Sequence, residues 1–467
     1  MVLSQSSRPR LSSSTQIETF DRHPGTFLVL DAARVRWAFV NASGLEILGL
    51  CDGALPVAEI AGALAHRHNG RPSEILEGTR SFLGAMAEAG LVYDGAKQPS
   101  EVRIPQTQFE GLTIEITRRC NLRCRHCYLA AGKQAEDELT FDEVRDLISA
   151  AKQLGATFVN LSGGEPLLRE DCFPLLEHVA RSGLQCIIGT NATTVSPEVA
   201  RRLAELPVIV QVSLDGASSA THDAVRGRGV FRRALQGLHN LLQADMAERV
   251  TLSFTPMASN AGEASAVADL ALEKGVKGLI FTSLLPGGNA RTNWDVLKLS
   301  TERTLQVWES ILDKARELAG RLAILHEGLS VSLDNPGVSK ALCSIGTNLR
   351  IDPEGNVYPC QCFTGGRDYR LGNVREQSLH RIVLGSRLQQ VKQTCVQRIE
   401  RIDQCQGCTW RHFCGAGCMG NAYHLEGTIW AAPDCEMRRR WIKRLFELRL
   451  SEQVRAIPAL ESDGERG

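Results

Sequence analysis

Cysteine is the residue of this 467-residue chain most able to do chemistry, and its 15 copies are unevenly spread. Five precede residue 180 (Cys51, Cys120, Cys124, Cys127, Cys172), Cys186 stands apart, and nine fall between Cys343 and Cys435. A disulfide framework suits small secreted domains, so close spacings in a long chain without an export signal point to metal. Cys120-x3-Cys124-x2-Cys127 puts three thiolates in one loop. Structural zinc wants four ligands in paired knuckles. An iron–sulfur cluster held by three cysteines instead leaves one iron free to bind a substrate. The second group is longer: Cys343, Gly355, Cys360 and Cys362, then Cys405-x2-Cys408-x5-Cys414-x3-Cys418 and finally Cys435. A zinc ribbon with spare thiols and a set of iron–sulfur sites are both open at this point. Cys395 is an extra candidate, whereas Cys51, Cys172 and Cys186 are expected to be buried apolar thiols.

Composition narrows the class. Lys+Arg and Asp+Glu are 53 each, a balance that argues against coating nucleic acid or an anionic membrane. Hydrophobic residues at 43% are enough to bury real cores. No apolar run approaches the roughly 18–20 residues of a membrane-spanning helix. The start, MVLSQSSRPRLSSSTQ, lacks the apolar core of a secretory signal, and its Ser/Arg bias fits a disordered tail better than a transit peptide. A cytoplasmic protein is expected.

The elements that must position the thiols follow from periodicity. Residues 1–17 read as a tail, and residues 18–97 as a small unit. TFLVL and RVRWAFV alternate as a hairpin, Asn41 or Ser43 can cap GLEILGL, two more helices follow, and LVYD closes it. That order is the one of a winged helix-turn-helix. Residues 98–110 read as a polar linker carrying two prolines, Pro99 and Pro105. From 111 to 320, six strands (LTIEIT, FVNLSG, CIIGTN, VIVQVSL, RVTLSFTP, KGLIFTSL) each precede a helix. The expected fold class is therefore α/β, a partial (β/α)6 TIM-type barrel whose chemistry sits at the C-terminal strand ends. Residues 338–436 have weak apolar periodicity, so metal is expected to hold them. Residues 437–467 read as a basic amphipathic helix packed on the barrel, with a disordered end after Pro458.

Cys120-x3-Cys124-x2-Cys127 after strand one, with Ser162-Gly163-Gly164-Glu165-Pro166 after strand two, resembles the radical S-adenosylmethionine (SAM) enzymes. The resemblance implies that the three cysteines hold a 4Fe–4S cluster, and that Gly163, Gly164 and Glu165 hold the ammonium of the SAM methionine. It further implies adenine contact by the His126 backbone and an apolar adenine wall at Leu279–Phe281. Asn191 after strand three, and Ser213 and Asp215 after strand four, would complete the SAM site, with the ribose near the last two. PGGNA (Pro286–Ala290) matches a family stretch, but Asn289 stands where an Arg is usual, and the contact of that Arg is lost. A cluster at the low end of the range, roughly −400 to −700 mV, can reduce bound SAM to a 5′-deoxyadenosyl radical that abstracts hydrogen from carbon.

The later cysteines are similar to the seven-cysteine pattern of the SPASM domain, which implies two auxiliary iron–sulfur clusters and three clusters in all. By position, Cys405, Cys408, Cys414 and Cys435 would hold one, and Cys343, Cys360 and Cys418 three corners of the other. Cys362 is the candidate fourth ligand, with an open site as the other reading. The N-terminal unit resembles the PqqD-like peptide-recognition domain. Its 10 acidic and 6 basic residues between Glu18 and Asp94 disfavour a DNA reader. The expected function is radical modification of a ribosomally made peptide, forming a thioether or C–C crosslink. Its leader would add as a strand to the N-terminal sheet, and a flavodoxin or ferredoxin would supply electrons; no nucleic acid or membrane partner is expected. Sulfatase maturation is a runner-up weakened by Gln361, where that subfamily has an Asp base. Tetrapyrrole side-chain modification and a non-enzymatic cluster scaffold are the others.

Overall fold

Apolar strands alternating with amphipathic helices build one large sheet, described in a computed structural model that covers residues 3–95, 108–326, 345–364 and 367–456. The N-terminal unit runs β1 (Pro9–Leu11), β2 (Thr15–Thr19), β3 (Thr26–Asp31), β4 (Arg36–Asn41), α1 (Ala42–Gly49), α2 (Val57–His68), α3 (Pro72–Glu88) and β5 (Val92–Asp94). β2, β3 and β4 form an antiparallel sheet, while β5 pairs with β1. Asn41 caps α1, accepting from the Gly44 N–H at 2.9 Å.

Two expectations are corrected here. Residues 3–17 are not a tail: they supply β1 and β2, and Leu3 is buried. The serines that suggested disorder are hydrogen-bond partners of a buried ion pair. Ser14 donates to Asp31 at 2.6 Å, and Arg34 donates to both Asp31 (2.6 Å) and Ser12 (2.5 Å). The strand order also departs from the hairpin, three helices and closing strand of the expected winged arrangement, because β5 joins β1 instead of the hairpin.

The barrel sheet comprises β6 (Gly111–Thr117), β7 (Phe158–Gly163), β8 (Gln185–Thr190), β9 (Val208–Ser213), β10 (Val250–Phe254), β11 (Gly278–Phe281) and β12 (Ala323–His326). Between them lie α4 (Phe141–Gln153), α5 (Cys172–Arg181), α6 (Pro197–Ala204), α7 (Ser219–Arg226), α8 (Val230–Gln243), α9 (Ala264–Glu273), α10 (Gly288–Thr292), α11 (Trp294–Leu297) and α12 (Thr301–Glu317). All neighbouring pairs from β6 to β12 are parallel. The six expected strands are present, β12 adds a seventh, and the sheet remains open, with β12 at one edge.

On the other side of β6 the sheet crosses the expected domain boundary. β13 (Asn348–Ile351) pairs parallel with β6, and β14 (Asn356–Tyr358) and β15 (Gly372–Asn373) follow antiparallel. Ile345, Leu349, Val357, Leu379, Ile382 and Leu388 share one core with the barrel's helix-facing residues. The described part of the first half of the cysteine-rich region thus shares the barrel's core. Its second half divides among three cores: Ile399, Ile402, Ala416 and Ala432 form a small cluster, Trp410, Phe413 and Cys414 pack with the N-terminal sheet and the C-terminal helix, and Met419 and Ile429 belong to the main core. Most of the expected linker, the segment around Cys343 and the chain after Ala456 lie outside the described residues.

The C-terminal helix, Cys435–Ala456, packs on α12 through Trp441 and Trp308 (ring centroids 5.2 Å apart) and through Arg444 to Glu309. Its other side meets the N-terminal sheet, where Phe446 touches Trp37 (5.1 Å), Trp410 and Phe413. Among the described residues no helix is long and apolar enough to cross a membrane.

Candidate active site

β6 ends at Thr117, and the cysteine loop begins there because its backbone is caught on both sides. The Cys120 N–H donates to Gly132 O (2.9 Å), the Gly132 N–H to Arg118 O, and the Arg125 N–H to Val225 O (2.9 Å). From α10, Asn289 donates through its backbone to Cys127 O (2.8 Å) and through its side chain to Cys124 O (3.0 Å). The residue that departs from the family pattern is thus a fastener of the loop.

Three thiols converge. Burial pushes the Cys124 thiol up to about 11, and Cys120 up as well; the Cys127 sulfur adds to the repulsion at both, and Cys120 to that at Cys124. Such a set becomes thiolate only with a cation or cluster to balance it. Donors stand ready for that charge. The Leu122 N–H reaches Cys120 Sγ (3.4 Å), the Ala131 N–H reaches Cys127 Sγ (3.4 Å), and Arg226 lies 4.0 Å from Cys124 Sγ. N–H···S contacts of this kind fit a three-cysteine iron–sulfur site.

Gly163 and Gly164 explain themselves by contact. Gly163 has φ +131°, and a Cβ there would lie 2.3 Å from Thr117 O; at Gly164 it would lie 2.4 Å from Arg119 O. Without side chains the β7 exit docks on the strand leading into Cys120, with the Gly164 and Glu165 N–H groups bonding Thr117 O (2.7 Å) and Arg119 O (2.8 Å). That turn aims Glu165 into the interior, where it is 0% exposed. Its carboxylate accepts from the Thr190 hydroxyl (2.8 Å), the Asn191 N–H (2.8 Å) and the Leu167 N–H (3.3 Å). About four acceptor sites exist on a carboxylate, so one remains. Burial pushes Glu165 up to about 7 against the pull of those donors, so a cationic ligand would be welcome there. Asn191 in turn donates to Asn121 of the cysteine loop at 2.9 Å.

Asp215 is fully buried, and the expected ribose contact needs correction. Thr255 N–H (3.0 Å), Arg226 Nε (2.6 Å) and His126 Nε2 (3.2 Å) occupy its oxygens. Against the cost of burial, Arg226 and His126 hold its carboxyl below the usual range. Burial drives His126 down to about 4. The carboxylate thereby orients Arg226, which faces Cys124. Ser213, half-buried, is the more open residue at that strand end. The adenine wall is also corrected: Leu279 and Phe281 pack in the helix-facing core, and Ile280 alone turns to the opposite face.

The auxiliary thiols assemble in two sets. Cys360 and Cys418 drive Cys362 up, and Cys362 in turn drives Cys418 down. Cys343, assigned to this set by position, lies outside the described residues. Cys405, Cys408, Cys414 and Cys435 form the other; burial raises Cys405 to about 11, with the remaining three adding to it. Cys395 is half-buried against the main core, and Cys51, Cys172 and Cys186 are buried thiols as expected.

Several contributors escaped the sequence reading. Arg226 gave no signal. Glu115 and Arg350 did: each is a charge inside an apolar strand, and they pair at 2.6 and 2.7 Å between β6 and β13. Tyr128 donates to Glu115 (3.3 Å), Arg350 to Phe363 O (3.1 Å), and Gln361 to Thr113 (3.1 Å). This network joins the Cys127 end of the first loop to the Cys360–Cys362 loop.

An open α/β barrel with three loop thiols at one strand end and two further thiol sets behind it defines a cluster-bearing barrel enzyme. Family models match in three places: the Radical SAM superfamily at residues 114–263, an iron-sulfur cluster-binding domain (SPASM) at 343–409, and coenzyme PQQ synthesis protein D (PqqD) at 27–92. Mycofactocin maturase MftC of Mycolicibacterium smegmatis is 30% identical over 76% of this chain and 88% of its own length. Fe-coproporphyrin III synthase of Methanosarcina barkeri is 30% identical over 75% of this chain and 93% of its own. The structure of Streptococcus suis SuiB bound to precursor peptide SuiA shares the fold, with TM-score 0.58 and 14% identity over 91% of this chain and 98% of that one. The chain belongs to the radical SAM superfamily, with a SPASM domain and a PqqD-like domain on the same polypeptide. Its cofactors are SAM and iron–sulfur clusters.

Proposed function

We propose that the enzyme cleaves SAM reductively at a cluster held by Cys120, Cys124 and Cys127 and modifies a ribosomally made peptide, forming a thioether or C–C crosslink. A 4Fe–4S cluster bound there supplies the electron and the open iron that chelates SAM. The remaining work falls to the chain. Glu165, with one acceptor site left, binds the SAM ammonium; Gly163 and Gly164 set its position; Asn191 ties it to the loop. Ser213 and the His126 backbone line the nucleoside side, and Asp215 acts on the site through Arg226. Cys343, Cys360, Cys362 and Cys418, and separately Cys405, Cys408, Cys414 and Cys435, hold two auxiliary clusters that take back the second electron or bind a substrate thiolate.

The observation that carries the reading is the convergence of three thiols with the buried Glu165 across the Gly163–Gly164 turn. The peptide substrate rests on the PqqD-like domain and on relatives whose names or structures involve peptide maturation. Its leader pairs with an edge of the β2–β3–β4 sheet, a flavodoxin or ferredoxin is the reductant, and the enzyme works in the cytoplasm. The test is intact-mass analysis of a short peptide encoded beside the gene, co-expressed anaerobically. Loss of two hydrogens, absent with Cys120→Ala, is expected. An unchanged peptide, with SAM consumed when an iron porphyrin is added, would favour the tetrapyrrole reading that the Methanosarcina relative raises.

A further inference from the structure

Arg398 is 0% exposed, and its side-chain partners are main-chain carbonyls. Nε donates to Ile429 O (2.7 Å), Nη1 to Gly417 O (2.8 Å), and Nη2 to Ala416 O (3.1 Å) and Ala431 O (2.7 Å). Among the described residues no carboxylate pairs with it. Desolvating a lone charge costs several kcal/mol, and carbonyl dipoles offset only part of that. A buried guanidinium of this kind calls for an anion.

Its surroundings say which. Ala416 and Gly417 lie between Cys414 and Cys418; Ile429 and Ala431 lead to Cys435. Gly415, Ala416 and Gly417 all have positive φ (62°, 61° and 68°), a conformation that costs a non-glycine residue about 1–3 kcal/mol and persists only when its surroundings enforce it. Arg398 holds two of those three carbonyls. One side chain therefore fixes the loop that carries a thiol of each auxiliary set and joins it to the segment delivering Cys435.

We propose that Arg398 is a positioning residue and the buried counter-cation of the Cys405/Cys408/Cys414/Cys435 set, raising the reduction potential of the cluster held there. A fixed positive charge in a low-dielectric interior favours the more negative, reduced state of a cluster. The inference rests on the auxiliary-cluster reading above, and the test separates the two.

The parent is the full chain with Cys120, Cys124 and Cys127 changed to Ala, so that electron paramagnetic resonance reports auxiliary sets alone during redox titration. The signal of interest is the one abolished by Cys435→Ala. A parent without iron refutes the cluster reading itself. In a loaded parent, Arg398→Gln is expected to lower the reduced-to-oxidised ratio at least tenfold at the parent's midpoint, a shift of about 59 mV. Arg398→Lys, which keeps the charge, is expected to stay within threefold. A ratio within threefold for Arg398→Gln would overturn the proposal, as would an equal fall for Arg398→Lys. Loss of this set's iron from both variants, with unchanged far-ultraviolet circular dichroism, would also overturn it and leave Arg398 a purely structural tie.

Discussion

The Cys120–Cys127 loop and the Cys405–Cys435 region both gather thiols, yet they are supported in opposite ways. The first loop hangs from β6 and is fastened by β7 through Gly164 and Glu165, by β8 through Asn191, by α7 through Arg226 and by α10 through Asn289. Gly164, Glu165 and Asn191 follow barrel strands whose apolar residues fill the main core. The second set is carried by short helices, Asp403–Gln406 and Arg411–Cys414, and by the start of the C-terminal helix at Cys435, over a small cluster around Ile399 and an aromatic wall of Trp410, Phe413 and Phe446. One site is prebuilt by the fold. At the other, metal binding and folding are expected to be coupled.

The largest effect should separate chemistry from stability in the first loop. Cys124→Ala is expected to cut SAM cleavage at least about a thousandfold, while thermal unfolding of the barrel, followed by circular dichroism, stays nearly unchanged. Loss of barrel structure in that variant would make the first site as metal-dependent as the second. Iron removal should then expose the contrast directly. Chelation is expected to speed hydrogen exchange across residues 399–435 by two or more orders of magnitude, with β6–β10 changed little. Equal loss in both regions, read by mass spectrometry, would end the comparison.

Glu165→Gln is expected to weaken SAM binding about tenfold to a hundredfold by calorimetry, since a charged hydrogen bond inside a buried site is lost. The wild type adds a pH signature. Burial raises this carboxyl to about 7, so it is neutral below that pH and cannot balance the SAM ammonium. Affinity should therefore rise about tenfold from pH 6 to pH 8, and Glu165→Gln should flatten the profile. A flat wild-type profile would remove Glu165 from the site. The last test concerns the shared wall: Phe446→Ala is expected to cost about 3–5 kcal/mol in denaturant unfolding, loosening the N-terminal sheet from the Trp410–Phe413 side of the second set. An unchanged midpoint would mean that this aromatic contact contributes nothing.

What was legible in the sequence was local. Spacing within one loop gave the three thiols, strand-to-helix alternation gave β6 to β11, and Cys362 was named from its nearness to Cys360. What escaped depends on distant pairing. Ser12 and Ser14 looked like disorder because hydroxyls carry no periodicity, yet a buried Asp31–Arg34 pair orders them. β13 was hidden because a short strand is recognisable only by its neighbour β6. Asp215 was read as a ligand contact from its strand-end position, and nothing nearby in sequence announced that Arg226 and His126 would fill it. Glu115 and Arg350 were visible as charges in apolar strands, and that signal was available but unused.

The central claim is that Cys120, Cys124 and Cys127 together hold the cluster that cleaves SAM. Its most direct measurement is 5′-deoxyadenosine formation by the anaerobically reconstituted full chain with dithionite and SAM, quantified by liquid chromatography. The account predicts product from the wild type and none from Cys120→Ala, Cys124→Ala or Cys127→Ala. Product from any one of the three variants would contradict it.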